Sequence, residues 1–451
     1  MMHQPTTLGS ELKATIRFAT PLALAQIGTM LMGVVDTAVV SRFSASHAAG
    51  TALGNSIAMG LLVFGMGLSI ALEPLMAQAF GARERGRAWG WWRTGLRVSL
   101  IAAVPLSLLS IAIAMFADGF GVSPETRDHG VEYLLARTPG NLVFLAWMAA
   151  RSFLQSHQMT RPLLIAAALA NVFNLLADLA LVDGIVQWGA AGAGIATSVS
   201  TIVLVLSLTR AISYVRPPPD TPIPPGDVRL LIKLGLPLGL QLAAEFIVFS
   251  TCGIIATSLG DIEGNAHQIA LHCTALTFMG AVGISSATAA RVGEAVGLGR
   301  PELIKLRSRA GFILTMMVMG CSALIFGFFA APIVSIFDPK EVEVYLLAAE
   351  LLGIGALFQF FDGTQVLMSG ALRGIGDIRF PFILTLVGYW VVGFPVSVVL
   401  TYVFDLGAQG LWYGLTVGLA AASVGLTWRY LHIEKRGVRR LQSGAPETTT
   451  R

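Results

Sequence analysis

Twelve predominantly apolar stretches, each of twenty or more residues, run along this chain, at about 16–41, 49–77, 94–117, 131–156, 162–183, 189–212, 230–258, 264–292, 308–337, 343–371, 380–404 and 408–431. A helix rises about 1.5 Å per residue, so each stretch can cross a hydrocarbon layer of roughly 30 Å. The runs are unbroken where the strands of a membrane barrel would alternate, which makes the spans helices. With 451 residues, 55% of them apolar and 12% charged, a soluble multidomain protein is excluded. The expected fold is an all-α integral membrane protein of twelve transmembrane helices. The opening MMHQPTTLGSELKATIRF has no short apolar core followed by a small-residue cleavage site, so the first span is expected to be retained.

The formal net charge is only +4, but its distribution is one-sided. With the N-terminus inside, every Lys and Arg except Arg42, Arg127, Arg137 and Lys340 falls in or beside an inner segment. The clusters are Arg83, Arg85, Arg87 and Arg93 after span two, Arg300, Lys305, Arg307 and Arg309 after span eight, and Arg429 to Arg440 at the end. Retention of basic loops on the cytoplasmic side then places both termini in the cytoplasm and the protein in the plasma (inner) membrane. The same rule explains the basic clusters without a nucleic-acid partner. Cys252, Cys273 and Cys321 lie within spans, far apart, with no disulfide or metal spacing. No cofactor is implied, and a monomer is expected.

The most polar interspan stretch, SYVRPPPDTPIPPGDVR (213–229), holds six prolines and reads as a semi-rigid cytoplasmic linker. It separates residues 1–212 from 230–432, with 433–451 as a basic tail. Similar text recurs on its two sides. Pro21 in FATPLAL returns as Pro237 in LGLPLGL, and Gly81 in QAFGARERG as Gly297 in EAVGLGRP, both 216 residues later. WGAAGAGIATSV (188–199) matches LGAQGLWYGLTV (406–417) at an offset of 218. A nearly constant offset is an internal repeat. Six spans per copy is an even number, so the copies are parallel repeats related by an axis along the membrane normal, with a central cleft between an N-lobe and a C-lobe. The 49 glycines suit close helix packing.

Four acids interrupt this apolar text: Asp36 in GVVDTAVVS of span one, Asp178 in span five, Glu245 in span seven and Asp362 in span ten. On insertion scales an Asp at the bilayer centre costs about 2.5 to 3.5 kcal/mol, and four such acids on the order of 10 kcal/mol. No Lys or Arg is expected deep enough to neutralise them, so they need protons, metal cations or a cationic ligand during part of a working cycle. Each lies on a polar helical stripe: Gln26, Thr29, Gly33 and Asp36; Asn171, Asn174 and Asp178; Gln241 and Glu245; Gln359, Asp362 and Ser369. Oxygen donors without a thiolate or clustered imidazole suit protons or hard cations such as Na+.

A single embedded Asn or Gln is adequately explained as interhelical hydrogen bonding; four unpaired acids are not. Glu73 and Glu350, nearer the ends of their spans, are weaker candidates. His267 and His272 in AHQIALH read as core histidines, with His267 placed to titrate beside Glu245. Gln26, Gln241, His267 and Gln359, with the aromatic Phe358 and Phe361, are the candidate lining of a substrate cleft. Phe360 and Met368 could extend its apolar wall, although core or lipid packing is the expected role of each aromatic and Met.

At this point the chain resembles the multidrug and toxic compound extrusion (MATE) family, especially its NorM-type branch, over residues 12 to 432. The similar stretches are ATPLALAQIGTMLMGVVDTAVVSRFS, NLLADLALVDG, KLGLPLGLQLAAEF, AHQIAL, RVGEAVGLG and FQFFDGTQVLMSGALRGIGD. Their order and spacing across twelve spans carry the likeness, not any one motif. The resemblance implies an antiporter that expels amphipathic, mostly cationic drugs while Na+ or H+ runs inward. It also implies that Glu245 and Asp362 match cation-site acids of the C-lobe, and that Asp36, Asn174, Asp178 and Thr197 match a cation-linked cluster of the N-lobe. Position 178 is Asn in some NorM-type relatives, so this chain has acids in both lobes.

The expected function is therefore secondary active multidrug efflux by alternating access. A flippase for lipid-linked sugars is the alternative, but its anionic diphosphate substrate calls for cleft arginines, and none is expected. No nucleophile elbow, H-E-x-x-H or phosphate-binding loop supports an enzyme. A channel would more typically display charge rings from an oligomer.

Overall fold

The computed structural model describes residues 7–116, 122–438 and 440–441. Twelve long helices, and no strand, are found among the described residues: α1 (Leu8–Phe43), α2 (Ala45–Gly81), α3 (Arg85–Met115), α4 (Pro124–Ser156), α5 (Arg161–Leu181), α6 (Gly189–Val215), α7 (Val228–Leu259), α8 (Asp261–Gly297), α9 (Pro301–Ser335), α10 (Val342–Ile375), α11 (Arg379–Tyr402) and α12 (Gly407–Arg436). Eight of them contain their expected span, while the expected spans three, five, nine and eleven run two residues past the observed ends of α3, α5, α9 and α11; residue 117 lies outside the described residues. So do residues 442–451 of the expected tail. Thr7, Ser123 and Asp227 open α1, α4 and α7 by accepting a backbone N–H on the side chain.

Eleven of the helices are long and apolar enough to cross a membrane. The exception is α4, which carries Glu125, Arg127, Asp128, Glu132, Arg137 and Arg151. It packs between α2, α3 and α6, so Arg137 and Arg151 are buried inside the lobe and not turned to lipid.

Helices α1 to α6 pack chiefly on one another, as do α7 to α12, and the two groups meet where α1 and α2 face α7 and α8. That boundary is reciprocal. A Cβ on Gly67 would meet the backbone of Gly239, and a Cβ on Gly283 would meet the backbone of Ala23. A Cβ on Gly81 would meet the carbonyl of Glu294, and one on Gly297 the carbonyl of Gln78. Each residue in the first member of a pair maps to the second by the 216-residue offset, so the same contact is made twice with the partners exchanged. A two-fold axis produces that pattern.

Among the described residues, the shared core joins the lobes at one end only. A single core containing Phe18, Leu75, Phe153, Ile284, Leu367 and Ile375 runs through both lobes at the end carrying the chain termini. At the far end the cores are separate: Val39, Tyr133, Leu134 and Val182 in the N-lobe, and Phe326, Tyr389 and Trp412 in the C-lobe. The described inter-lobe hydrogen bonds and ion pairs also cluster at the termini end. Arg373 pairs with Glu73 at 3.3 Å, Gln155 donates to the Ser286 carbonyl at 3.3 Å, Gln78 donates to the Gly374 carbonyl at 3.1 Å, and Arg291 and Arg307 converge on Glu11. After α12, Arg440 bonds Glu84 and the Leu441 N–H donates to Gln78 at 2.8 Å, strapping one lobe to the other. The hydrogen bond from Arg440 holds the Glu84 carboxyl below its ordinary pKa. The protein is thus closed at the termini end.

The proline-rich connection between α6 and α7 lies along α3, where the Gly226 N–H donates to Thr94 at 3.0 Å.

Candidate functional site

In the N-lobe, α1, α5 and α6 bring Asp36, Asn174, Asp178 and Thr197 together. The Thr197 hydroxyl donates to Asp36 Oδ2 at 2.8 Å. The Asp178 carboxyl lies beside that of Asp36. Asn174 and Asp178 are fully buried and Asp36 is 5% exposed. Asp36 Oδ1, both oxygens of Asp178 and both polar atoms of the Asn174 amide are shielded from water and meet no hydrogen-bond partner. Buried polar atoms are almost always partnered. Four such oxygens in one place suit a hard cation, and two adjacent carboxyls suit a shared proton.

Two further residues complete this network. Tyr133 on α4 lies against Asp36 and Thr197, and Arg137, one turn on, donates to the Tyr133 hydroxyl at 2.6 Å and to Asn55 on α2. Nothing in the sequence marks Tyr133, while Arg137 carries a signal: a cation four residues after a tyrosine in the least apolar span.

In the C-lobe, Glu245 Oε1 accepts from Gln241 at 3.2 Å and from Gln365 at 3.1 Å. Gln241 also reaches the Ser369 hydroxyl at 3.4 Å. Asp362, 6% exposed, lies within electrostatic reach of Glu245 and makes no hydrogen bond or ion pair among the described residues. Tyr389 is buried beside both acids. It is presented by a π-turn, Val387–Gly393, inside α11, which Trp390 ties to α7 by donating to the Ala244 carbonyl at 3.2 Å. Such turns are frequent at functional sites. Gln359 bonds Thr277 through its amide nitrogen and leaves its oxygen unmet.

Several expected cleft residues are placed elsewhere. His267 does not meet Glu245: its ring is 1% exposed and accepts from the Trp412 indole at 3.2 Å. Phe358 is 3% exposed among Phe249, Tyr389 and Trp412, so it fills the core and does not wall a cleft. Phe361 packs half-buried on the same cluster, Met368 belongs to the core shared by the lobes, and Phe360 is exposed. Gln26 is half-buried without a described side-chain bond, Asn171 bonds its own helix at the Ala167 carbonyl, His272 is exposed, and Glu350 accepts from Gln409.

The four acids are not brought together at one site. They form two pairs, one inside each lobe, and no described interaction joins pair to pair. Nor are the pairs related by the repeat. Offset by 216, Asp36 corresponds to Cys252, Glu245 to Thr29 and Asp362 to Ala146. Glu245 lies seven residues before Cys252, about 10 Å nearer the termini end than the position equivalent to Asp36. The backbone kept its two-fold symmetry while the charged chemistry did not.

Several arginines are nonetheless buried. Arg137, Arg151, Arg291 and Arg307 are each at most 9% exposed, and the Arg373 side chain is 14% exposed. None forms an ion pair with the four acids. Arg291 and Arg307 are held by Glu11 and Glu294, and Arg373 by Glu73, which also accepts from Gln155 at 3.2 Å. Depth read along one helix misses these groups because their partners come from other helices.

A family model described as MatE matches residues 21–179 and 237–399, two stretches that begin 216 residues apart. Among curated relatives, a probable multidrug resistance protein NorM of Deinococcus radiodurans is 34% identical over 448 residues, covering 95% of this chain and 97% of the relative. One of the same name from Pseudomonas putida is 32% identical over 462 residues, covering 97% and 98%. Among solved structures, the eukaryotic MATE transporter AtDTX14 is similar with a TM-score of 0.86 at 20% identity, covering 95% of this chain and 97% of that one. A multidrug resistance MATE family transporter of the MOP superfamily, solved in an outward-facing conformation, gives 0.86 at 21% identity, covering 96% and 100%.

Proposed function

Because this chain belongs to the MatE family, whose model spans both halves of it, we propose that it is a secondary active multidrug efflux antiporter of the plasma (inner) membrane. It is a transporter and not an enzyme. Its substrates are amphipathic, cationic drugs, exchanged for Na+ or H+ by alternating access. With the termini in the cytoplasm, as the basic inner loops require, the closed termini end makes this the outward-facing state.

The observation that carries the coupling is the state of Asp178. Both of its carboxylate oxygens are buried without a donor, beside Asp36. Such a pair takes up a proton or Na+ from the outward-open side, and neutralisation frees the cleft of the negative charge that holds a lipophilic cation. Rocking about the reciprocal glycine contacts then opens the termini end, where the ion leaves and the re-ionised acids attract the next substrate. Glu245 and Asp362 form the corresponding ion site of the C-lobe.

The flippase alternative draws no support from the buried arginines. Arg291, Arg307 and Arg373 are engaged by Glu11, Glu294 and Glu73, so none of these three is free to hold a diphosphate. The test is drug efflux from inverted vesicles under an imposed Na+ or pH gradient, comparing wild type with Asp36→Asn, Asp178→Asn, Glu245→Gln and Asp362→Asn. Efflux driven by one gradient and lost in the N-lobe variants is expected. Wild-type efflux indifferent to both gradients would sink the antiporter.

A further inference from the structure

We propose that the groove between the first turns of α3 and the end of α6 binds the headgroup of an anionic phospholipid. The inference stands on the membrane fold and does not rest on the transport mechanism. The groove encloses about 390 Å³ and is lined by Trp89, Trp92, Arg93, Leu96, Arg97 and Arg216.

Its three guanidinium groups are exposed, and none has a carboxylate or hydrogen-bond partner among the described residues. Nearby basic residues differ: Arg87 pairs with Glu84 at 3.4 Å, and Arg440 is bonded to the same carboxylate. Three arginines without a partner border one apolar groove, and guanidinium forks match the oxygens of a phosphate held at its rim. Trp89 and Trp92 stand against each other with ring centroids 4.7 Å apart, and the Trp92 indole N–H is shielded from water without an acceptor.

The position selects a lipid over a free phosphate. Arg93 and Arg97 stand where the apolar run of α3 begins, and Arg216 directly follows α6, so all three are at headgroup level. Continuing down the α3 face that carries Arg93 and Arg97 come Ile101, Val104 and Leu108, exposed by 72%, 48% and 61%. Spacings of three and four keep them in one stripe. A phosphate here continues into acyl chains that lie along that stripe. A soluble anion would leave the stripe, Trp89 and Leu96 unused.

The test is native mass spectrometry of the purified full chain after exposure to equal amounts of phosphatidylglycerol and phosphatidylcholine. Wild type should retain the anionic lipid with a preference of about fivefold or more for each guanidinium engaged. Arg93→Gln, Arg97→Gln and Arg216→Gln together should bring the ratio close to one. The equally discharged control Lys13→Gln, Lys233→Gln and Arg309→Gln should keep it. Arg97→Gln alone, with wild-type melting and elution, should show a smaller fall and covers the case in which the triple variant fails to fold. Millimolar inorganic phosphate should not displace the lipid. Equal loss in the groove and control variants, a wild-type ratio in the groove variants, or displacement by phosphate alone would each overturn the proposal.

Discussion

Asp36 and Asp178 bring their carboxyls side by side in the N-lobe from two different helices, and of the two only Asp36 accepts from the Thr197 hydroxyl, at 2.8 Å. The asymmetry assigns roles. Asp36 has one oxygen committed to a fixed donor, whereas both oxygens of Asp178 remain free for an incoming ion.

Neutralising either acid should therefore abolish coupling, because the ion is held by the pair. Asp36→Asn and Asp178→Asn are each expected to slow gradient-driven transport tenfold or more, and the double variant to be no worse than either single one. Initial rates in proteoliposomes check this. Additive losses would mean that the two acids work independently.

Thr197→Val removes the donor to Asp36 while preserving shape. A hydrogen bond to a charged group contributes about 1.5 to 3 kcal/mol, so the half-saturating ion concentration should shift by roughly tenfold or more with the maximal rate less affected. A titration of transport against Na+ or pH reads the shift.

At the termini end, Glu73 holds Arg373 across the lobe boundary in a 4%-exposed site. Breaking a buried pair by removing one partner costs about 3 to 5 kcal/mol because the other charge is stranded. Glu73→Ala should lower the melting temperature and expose the termini end to labelling of an introduced cysteine. Glu73→Leu with Arg373→Leu should recover most of the stability, since it leaves no stranded charge on that pair.

Gly67 and Gly283 make the reciprocal backbone contacts about which the lobes meet. Overpacking of this kind typically costs about 1 to 3 kcal/mol. Gly67→Val and Gly283→Val should therefore have matching effects on stability and transport rate, whereas Gly33→Val, where no atom lies within 4 Å of a Cβ, should be tolerated. Melting curves of the three variants check the equivalence.

Much of this architecture is legible in the sequence because membrane spans and repeats write themselves as long, regular patterns. The pairs Pro21 and Pro237, and Gly81 and Gly297, announce the 216-residue offset, and the structure turns that offset into reciprocal contacts. Which acids pair is not legible, since the stripe of one helix does not say which neighbour it faces. Asp36 on α1 meets an acid on α5, and Glu245 on α7 meets Asp362 on α10 with α8 and α9 between them in sequence, juxtapositions that only packing decides. Tyr389 is hidden for a related reason: it reaches the acids through a local π-turn in an otherwise unremarked apolar helix. The partners of the buried arginines are not legible either, since Arg291 finds Glu11 in the opposite lobe.

The central claim is that ion entry through the acid pairs drives drug exit. Counting radioactive sodium and protons that enter proteoliposomes with each cationic drug molecule that leaves tests it most directly. The account predicts a fixed ratio of one ion species to drug in wild type, and loss of both fluxes together in Asp36→Asn with Asp178→Asn. Drug movement with no accompanying ion, or an unchanged ratio in that double variant, would contradict it.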